Sequence, residues 1–363
     1  MNDSCVISKF EFGIAKQRLT APYRLSFTTL EYIDSIWVYI EDEEGQKGLG
    51  EAVPLLGYGD ESTRDIVQWI YDFRQECIGK SIKVSFQKLY QQAHLHPFAV
   101  SAVASAIDFR HWGQNLSILK PISLVYPISS GPKDEIIAGQ IEDGFSKGFR
   151  HFKVKVGINL EEDIRTGQYL LNNYADGCTF RFDANQAYNL EEAKAFCKQL
   201  EPFCGPGFQW LEQPLPIKDW ESMAILSSVT SLPLMLDESI YQKEDILRAI
   251  DIGCSAIKLK LFKHPGLDEL LRLARLAYSH GLKLTLGNGV SSDIGNLCEA
   301  LVVSMDSELY SPGLECNGYN KLVANLAFPQ LQINNKGQLY WKNSQAIDFD
   351  RILSHLQRAS KKT

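Results

Sequence analysis

The chain has 363 residues, 45% of them hydrophobic and 22% charged, the composition of a folded protein whose core needs no covalent staples. Its net charge of −7 argues against a nucleic-acid surface, which would carry a basic footprint. No apolar run reaches the length of a membrane-spanning helix, and the N-terminus lacks the basic-then-apolar pattern of a signal peptide.

In chain order, Ile33–Glu41 and Lys47–Val53 read as two strands joined by a turn at Glu43, Glu44 and Gly45. Helical patterns follow at Thr63–Cys77, Phe86–Ala93 and Ala99–Trp112, so residues 1–120 form an α+β module. From Pro121 the pattern changes to strands alternating with amphipathic stretches. The strands are Ile122–Tyr126, Phe152–Val156, Phe180–Asp183, Trp210–Glu212, Leu234–Asp237, Ala256–Leu261, Lys283–Gly287 and a short eighth at Ser307–Tyr310. Helices are expected from Lys133, Leu160, Leu190, Asp219, Lys243, Leu267 and Ser292, with Asn189 a good N-cap and Gly281 a stop after His280. Strand–helix alternation predicts a parallel α/β sheet, and eight strands predict a closed (β/α)8 TIM barrel over 121–328. The tail, 329–363, carries a hairpin pattern at Leu331–Tyr340 turning about Asn335, Lys336 and Gly337, expected to return to the N-terminal module.

Several strands end in charge. Lys153 and Lys155, Asp183, Glu212, Asp237, and Lys258 and Lys260 follow one another in the order lysine, acid, acid, acid, lysine. An apolar strand does not normally end this way, because a buried charge is costly unless paired or metal-bound. The steps are 183 − 155 = 28, 212 − 183 = 29, 237 − 212 = 25 and 260 − 237 = 23 residues, each close to one βα unit of about 30. The charges therefore fall at the C-terminal ends of successive strands, the mouth at which barrel active sites sit.

Three carboxylates suit a hard divalent cation such as Mg²⁺; zinc would recruit His or Cys, which these strand ends lack. Lys153 and Lys155 are two apart and share a strand face. A lysine beside a second cation is expected to have a lowered pKa. Two amines flanking a metal-held carboxylate substrate suit removal of the proton α to that carboxylate, with an ene-diolate stabilised by the cation. The eight cysteines form no C-x-x-C pair or zinc spacing and read as reduced, mostly buried thiols of a cytoplasmic protein. Lys263 and His264 read as solvated loop residues.

Together these strand-end motifs resemble the muconate lactonizing enzyme subgroup of the enolase superfamily, within the mandelate racemase/muconate lactonizing enzyme family. The resemblance implies a modified (β/α)8 TIM barrel at 121–328, an N-terminal α+β capping domain at 1–120 and a C-terminal segment at 329–363 returning to the cap. It implies Asp183, Glu212 and Asp237 as Mg²⁺ ligands and Lys155 and Lys260 as the acid/base pair. Lys153, Asn185 and Glu238 would support them, as would Lys258. Substrate contacts are expected from Phe27 and Tyr58 in the cap and from Asn288 and Glu308 after strands seven and eight. Glu308–Pro312 is similar to the Glu-Leu-Phe-Gly-Pro of muconate cycloisomerases. The chain is thus expected to be a cycloisomerase-like isomerase or an o-succinylbenzoate-synthase-like lyase. The alternatives are a dipeptide or N-acylamino acid epimerase or racemase, and a barrel that binds a carboxylate without turnover. The expected partner is a small carboxylate, not nucleic acid or membrane, and a homo-oligomer is compatible with the sequence.

Overall fold

A computed structural model describes residues 4–24, 29–55, 59–114, 116–131, 133–288, 290–316, 318–324, 327–328, 330–342 and 346–359. Phe27 and Tyr58 lie outside the described residues. The N-terminal sheet has three antiparallel strands, β1 (Ile7–Arg24), β2 (Thr29–Asp42) and β3 (Lys47–Ala52), in that spatial order. β1 extends the expected hairpin by a third strand. Its register on β2 is continuous from Lys9 to Arg18 and then shifts before Tyr23. The Asp42 carboxylate accepts from the amides of Glu44 and Gln46 and holds the β2–β3 turn.

Three helices cover this sheet: α1 (Thr63–Cys77), opened by a Ser62/Asp65 capping box, α2 (Ile82–Gln92) and α3 (Pro97–Trp112). α3 is buried from Phe98 to Arg110, and small residues let it approach β3 closely. A Cβ at Gly50 would fall 1.9 Å from the Ala102 carbonyl oxygen, so only glycine fits there.

The second unit is a parallel sheet of seven strands. The short β4 (Ile122–Ser123) leads into β5 (Val125–Ser129), followed by β6 (His151–Lys155), β7 (Thr179–Asp183), β8 (Phe208–Glu212), β9 (Leu234–Leu236), β10 (Ala256–Lys260) and β11 (Lys283–Gly287). Helices α4 (Asp134–Ser146), α5 (Leu160–Tyr174), α6 (Leu190–Leu200), α7 (Trp220–Val229), α8 (Lys243–Asp251), α9 (Leu267–Ser279) and α10 (Asp293–Met305) follow β5 to β11 in turn. The outward faces of the strands, including Phe152, Val154, Phe180 and Phe182, join these helices in one apolar core.

The segment from Tyr310 to Glu315 closes the ring as a broken eighth strand. Parallel bridges join Tyr310 to Leu284 and Glu315 to Gly287 on one side, and Leu314 to Leu124 on the other. This moves the expected eighth strand. Ser307–Leu309 is a 3₁₀ turn, and the strand runs on to Glu315.

The tail divides. β12 (Leu331–Ile333) and β13 (Gln338–Trp341) form the expected hairpin, but β13 pairs with β4 at the start of the barrel and not with the N-terminal sheet. The return to that sheet is made by α11 (Phe349–Ala359), which lies against β1. Its Phe349 and His355 rings meet Tyr39 and Trp37 at centroid distances of 6.1 and 5.7 Å. Seven of the eight cysteines are buried, Cys204 is exposed, and all are free. Among the described residues no helix is long and apolar enough to cross a membrane.

Candidate active site

Strand register assembles the charges. β6, β7 and β8 align Lys153 with Arg181 and Trp210, and Lys155 with Asp183 and Glu212. Because alternate residues share a face, both rows point away from the outer helices and into the barrel. Asp237 follows β9, and its position is set by Gln213. The Gln213 side-chain oxygen accepts from the amides of Asp237 and Ser239 at 3.0 and 3.2 Å, and its amide donates to Leu215 O and Ser239 Oγ. Gln213 does this from a left-handed backbone, φ 37°, and Asn185 after β7 has φ 44°. Strained non-glycine residues at two neighbouring strand ends are a mark of a functional site.

The expected groups converge here. Lys153 Nζ lies 2.7 Å from Asp183 Oδ2, 2.9 Å from Glu212 Oε1 and 3.1 Å from Glu315 Oε1. Lys155 Nζ lies 2.5 Å from both Asp183 Oδ2 and Asn185 Oδ1. Asn185 in turn donates to Glu238 Oε1 at 3.0 Å. Lys258 pairs with Glu212, and with Glu315 and Asp237 at 2.6 and 3.3 Å. Lys260 Nζ lies 2.8 Å from Asp237 Oδ2. The Lys155 side chain is 44% exposed, whereas that of Lys260 is 3% exposed. Lys155 and Lys260 thus stand at opposite ends of the acid row, on β6 and β10, one facing the mouth and one enclosed.

Lys263 and His264 are buried, contrary to the expected solvated loop. Lys263 Nζ donates to the carbonyls of Asp237 and Ile240 at 2.7 and 3.0 Å. Burial pushes His264 down to about 3, so it stays neutral.

Two members of the site were not singled out in the sequence. Arg181 is fully buried; it donates to Glu315 Oε1 at 2.9 Å, Gly313 O at 3.0 Å and Gln209 Oε1 at 3.2 Å, with its guanidinium carbon 4.8 Å from the Trp210 ring centre. Glu315 ties Arg181, Lys153 and Lys258 together. Glu308 is instead exposed, in the turn before the N-terminal end of this strand. Parallel pairing puts Tyr310 beside Leu284 and Glu315 beside Gly287, so the mouth is reached only at Glu315. Glu308 is therefore removed from the substrate-contact set. Asn288, directly after β11, donates to Glu299 Oε2 at 2.7 Å.

The electrostatics are those of a dense, largely buried cluster of charges. Burial opposes the Lys153 ammonium, yet Asp183, Glu212 and Glu315 hold its pKa well above the ordinary lysine range, the reverse of the lowering expected for a paired lysine. Burial also opposes ionised Asp183 and Asp237, but the surrounding lysines keep both below the usual carboxylate range. Glu212 is pushed up to about 7 by burial and by the charge of Asp183.

Among the described residues, no three acidic, histidine or cysteine side chains stand grouped as a ready-made metal cage; the lysines draw the acids toward themselves. The donor set nevertheless fits a hard cation. Glu212 Oε2 and Asp237 Oδ1 are buried without a hydrogen-bond partner, a costly state for a carboxylate oxygen that a bound cation relieves.

A further acid, Glu299, gives a pH signature. Burial raises its pKa from 4.5 to about 8. It binds its proton more firmly folded than unfolded, so its contribution to stability is full below pH 4.5 and is lost as the pH rises to about 8. Glu299→Gln is expected to flatten the fall in thermal midpoint between pH 5 and pH 8; parallel profiles for the two proteins would contradict this.

Residues 137–335 match the family described as Enolase C-terminal domain-like. The chain is 28% identical to an L-amino acid-D/L-Glu epimerase of Francisella philomiragia over 79% of this chain and 84% of that one. It is 26% identical to muconate cycloisomerase 1 of Pseudomonas putida over 77% and 78% of the two chains. The fold matches the muconate lactonizing enzyme structure from Pseudomonas putida with a TM-score of 0.81 at 24% identity, covering 96% of this chain and 99% of the other. Barrel, cap and family match together place the chain in the Enolase C-terminal domain-like family of the enolase superfamily, among its muconate lactonizing enzyme relatives.

Proposed function

We propose that the protein is a divalent-cation-dependent epimerase or racemase that removes the proton α to a substrate carboxylate and returns one to the opposite face. The observation that carries this reading is the placement of Lys155 and Lys260 at the two ends of the row Asp183, Glu212 and Asp237. Asp183, Glu212 and Asp237 are the residues that would hold the cation. When bound, Mg²⁺ supplies the positive charge that binds the substrate carboxylate and stabilises the ene-diolate.

The protein's own groups supply the rest. Lys155 takes or gives a proton from the side of the open mouth, and its ammonium is steadied by Asp183 and Asn185. Lys260 does the same from the enclosed side, against Asp237. Lys153 and Lys258, locked to Glu212 and Glu315, hold the acids in place and take no proton. The relatives named as epimerases favour proton transfer at one carbon over cycloisomerisation. The motif that favoured cycloisomerisation loses weight because Glu308 lies away from the mouth.

The metal assignment is tested by thermal unfolding. Mg²⁺ at a hundredfold excess over its Kd is expected to stabilise the chain by about 2.7 kcal/mol, and a chelator to reverse the gain. Asp237→Asn is expected to remove most of that response. A wild-type midpoint indifferent to Mg²⁺, or an unchanged response in the variant, would count against the assignment.

A further inference from the structure

One buried carboxylate of the barrel lies outside the acid row. Asp163, in the first turn of α5, is fully enclosed, and its Oδ1 has no hydrogen-bond partner among the described residues. Its Oδ2 accepts from the Gly157 amide at 2.7 Å and from the Tyr188 hydroxyl at 2.9 Å. An enclosed carboxylate with one idle oxygen costs stability, and an apolar side chain of similar size would avoid that cost. The start of α5 does not require it either, because Glu161 and Glu162 already place negative charge in that turn. What Asp163 adds is the join between its two donors.

Those donors stand on the two loops that make the Lys155 end of the site. Gly157 is two residues beyond Lys155, where the chain leaves β6. It has φ 100°, and a Cβ there would fall 2.5 Å from Ala187 Cβ and 2.9 Å from Ala184 O, so this turn lies flat against the loop after β7. Tyr188 ends that loop, three residues beyond Asn185, and its amide donates to Pro214 O at 3.1 Å. Between Asp183 and Tyr188, both Asn185 and Gln186 hold left-handed backbones, φ 44° and 71°. Such residues persist only where their surroundings over-determine them. The loop carries Asn185 Oδ1, 2.5 Å from Lys155 Nζ. One oxygen of Asp163 thus ties together both sides of the Lys155–Asn185 contact. Lys260 does not depend on it. That lysine stands on β10, and its partner Asp237 is set by Gln213 and Lys263.

We infer that Asp163 is a positioning residue for the Lys155 half of the reaction. Through Gly157 and Tyr188 it fixes the two loops on which Lys155 and Asn185 meet. The inference rests on the proposed proton-transfer reading and gives Asp163 no contact with substrate or cation.

The test follows loss of the α-proton in D₂O separately from each epimer, with full-length, Mg²⁺-loaded protein and L-Ala-L-Leu and L-Ala-D-Leu as the first pair. Lys155→Ala and Lys260→Ala identify the epimer that each lysine serves. A misplacement of about 1 Å can cost about 100-fold in rate, so Asp163→Ala is expected to lower kcat for the Lys155 epimer by about 10- to 100-fold. KM, the thermal response to Mg²⁺ and the rate from the Lys260 epimer are expected to stay near those of the wild type. Asp163→Asn keeps an oxygen for both donors and is expected to recover most of the loss. Equal losses from both epimers, no loss at all, or an Asn variant as impaired as the Ala variant would overturn the inference. Should Asp163→Ala not fold, Tyr188→Phe decides, because the ring keeps its place beside Phe196 while the hydroxyl goes. A fall confined to the Lys155 epimer upholds the inference, and an unchanged rate or an equal fall for both overturns it. If the wild type exchanges no α-proton from any dipeptide or N-acylamino acid, the proton-transfer reading fails, and lysine-selective ¹³C NMR judges the positioning alone. The Lys155 Cε resonance is expected to move in Asp163→Ala while that of Lys260 stays; an unmoved Lys155 signal, or equal movement of both, overturns the assignment.

Discussion

Lys260→Ala is expected to lower turnover by about 10²- to 10⁴-fold, the range for loss of a positioned acid or base, and Lys155→Ala by a similar factor. Both variants are expected to fold. The Lys155 side chain is nearly half exposed, and its loss leaves Asp183 paired with Lys153 at 2.7 Å. Loss of Lys260 leaves Asp237 with Lys258 at 3.3 Å and Lys263 at 3.7 Å. The two effects separate by substrate hand. With a base on each side, each variant loses exchange starting from one epimer and keeps a residual rate from the other. A one-sided reaction, in which the second lysine only balances charge, would show loss of exchange with one variant alone. Unreduced turnover in either variant would refute the role of that lysine.

Glu315→Ala is expected to have the largest effect on stability, about 3–5 kcal/mol, because it leaves buried charges short of a partner. Glu315 is bonded to Arg181, Lys153 and Lys258, and all three are buried. Those cations in turn hold Glu212 and Asp183, so the loss also loosens the acid row. Glu315→Gln preserves shape without charge and is expected to lose most of the same stability. Urea unfolding reads the difference. A midpoint unchanged in both variants would show that Glu315 is not the anchor of the network.

The strand ends were legible in the sequence because burial and charge are normally incompatible. Each charged residue after an apolar run marked a site, and regular spacing ordered the sites around a ring. The eighth strand escaped because it is broken. Ser307–Tyr310 carries the apolar signal, but the ladder contacts come at Tyr310, Leu314 and Glu315. The spacing held a clue: 315 − 260 = 55 residues, close to two βα units, whereas Glu308 carried the familiar motif. Arg181 was visible in the same way, since it lies two residues before Asp183 and shares its inward face. α11 was also legible, since Phe349, Ile352, Leu353 and Leu356 stand at the i, i+3, i+4, i+7 spacing of one helix face, but the tail was read only for its hairpin; the structure adds that this face packs on β1. Gln213 could not be recognised from its type, because its role depends on a left-handed backbone and on two amides across the neighbouring strand end.

The central claim is that this barrel mouth takes a proton from the carbon next to a carboxylate. The most direct measurement is deuterium incorporation at that carbon, followed by NMR for Mg²⁺-loaded protein in D₂O with a pool of dipeptides and N-acylamino acids. The account predicts α-deuterium in at least one substrate, appearing in both epimers and disappearing in the Lys155→Ala, Lys260→Ala double variant. A protein that binds Mg²⁺ and these carboxylates yet leaves every α-proton in place would contradict it.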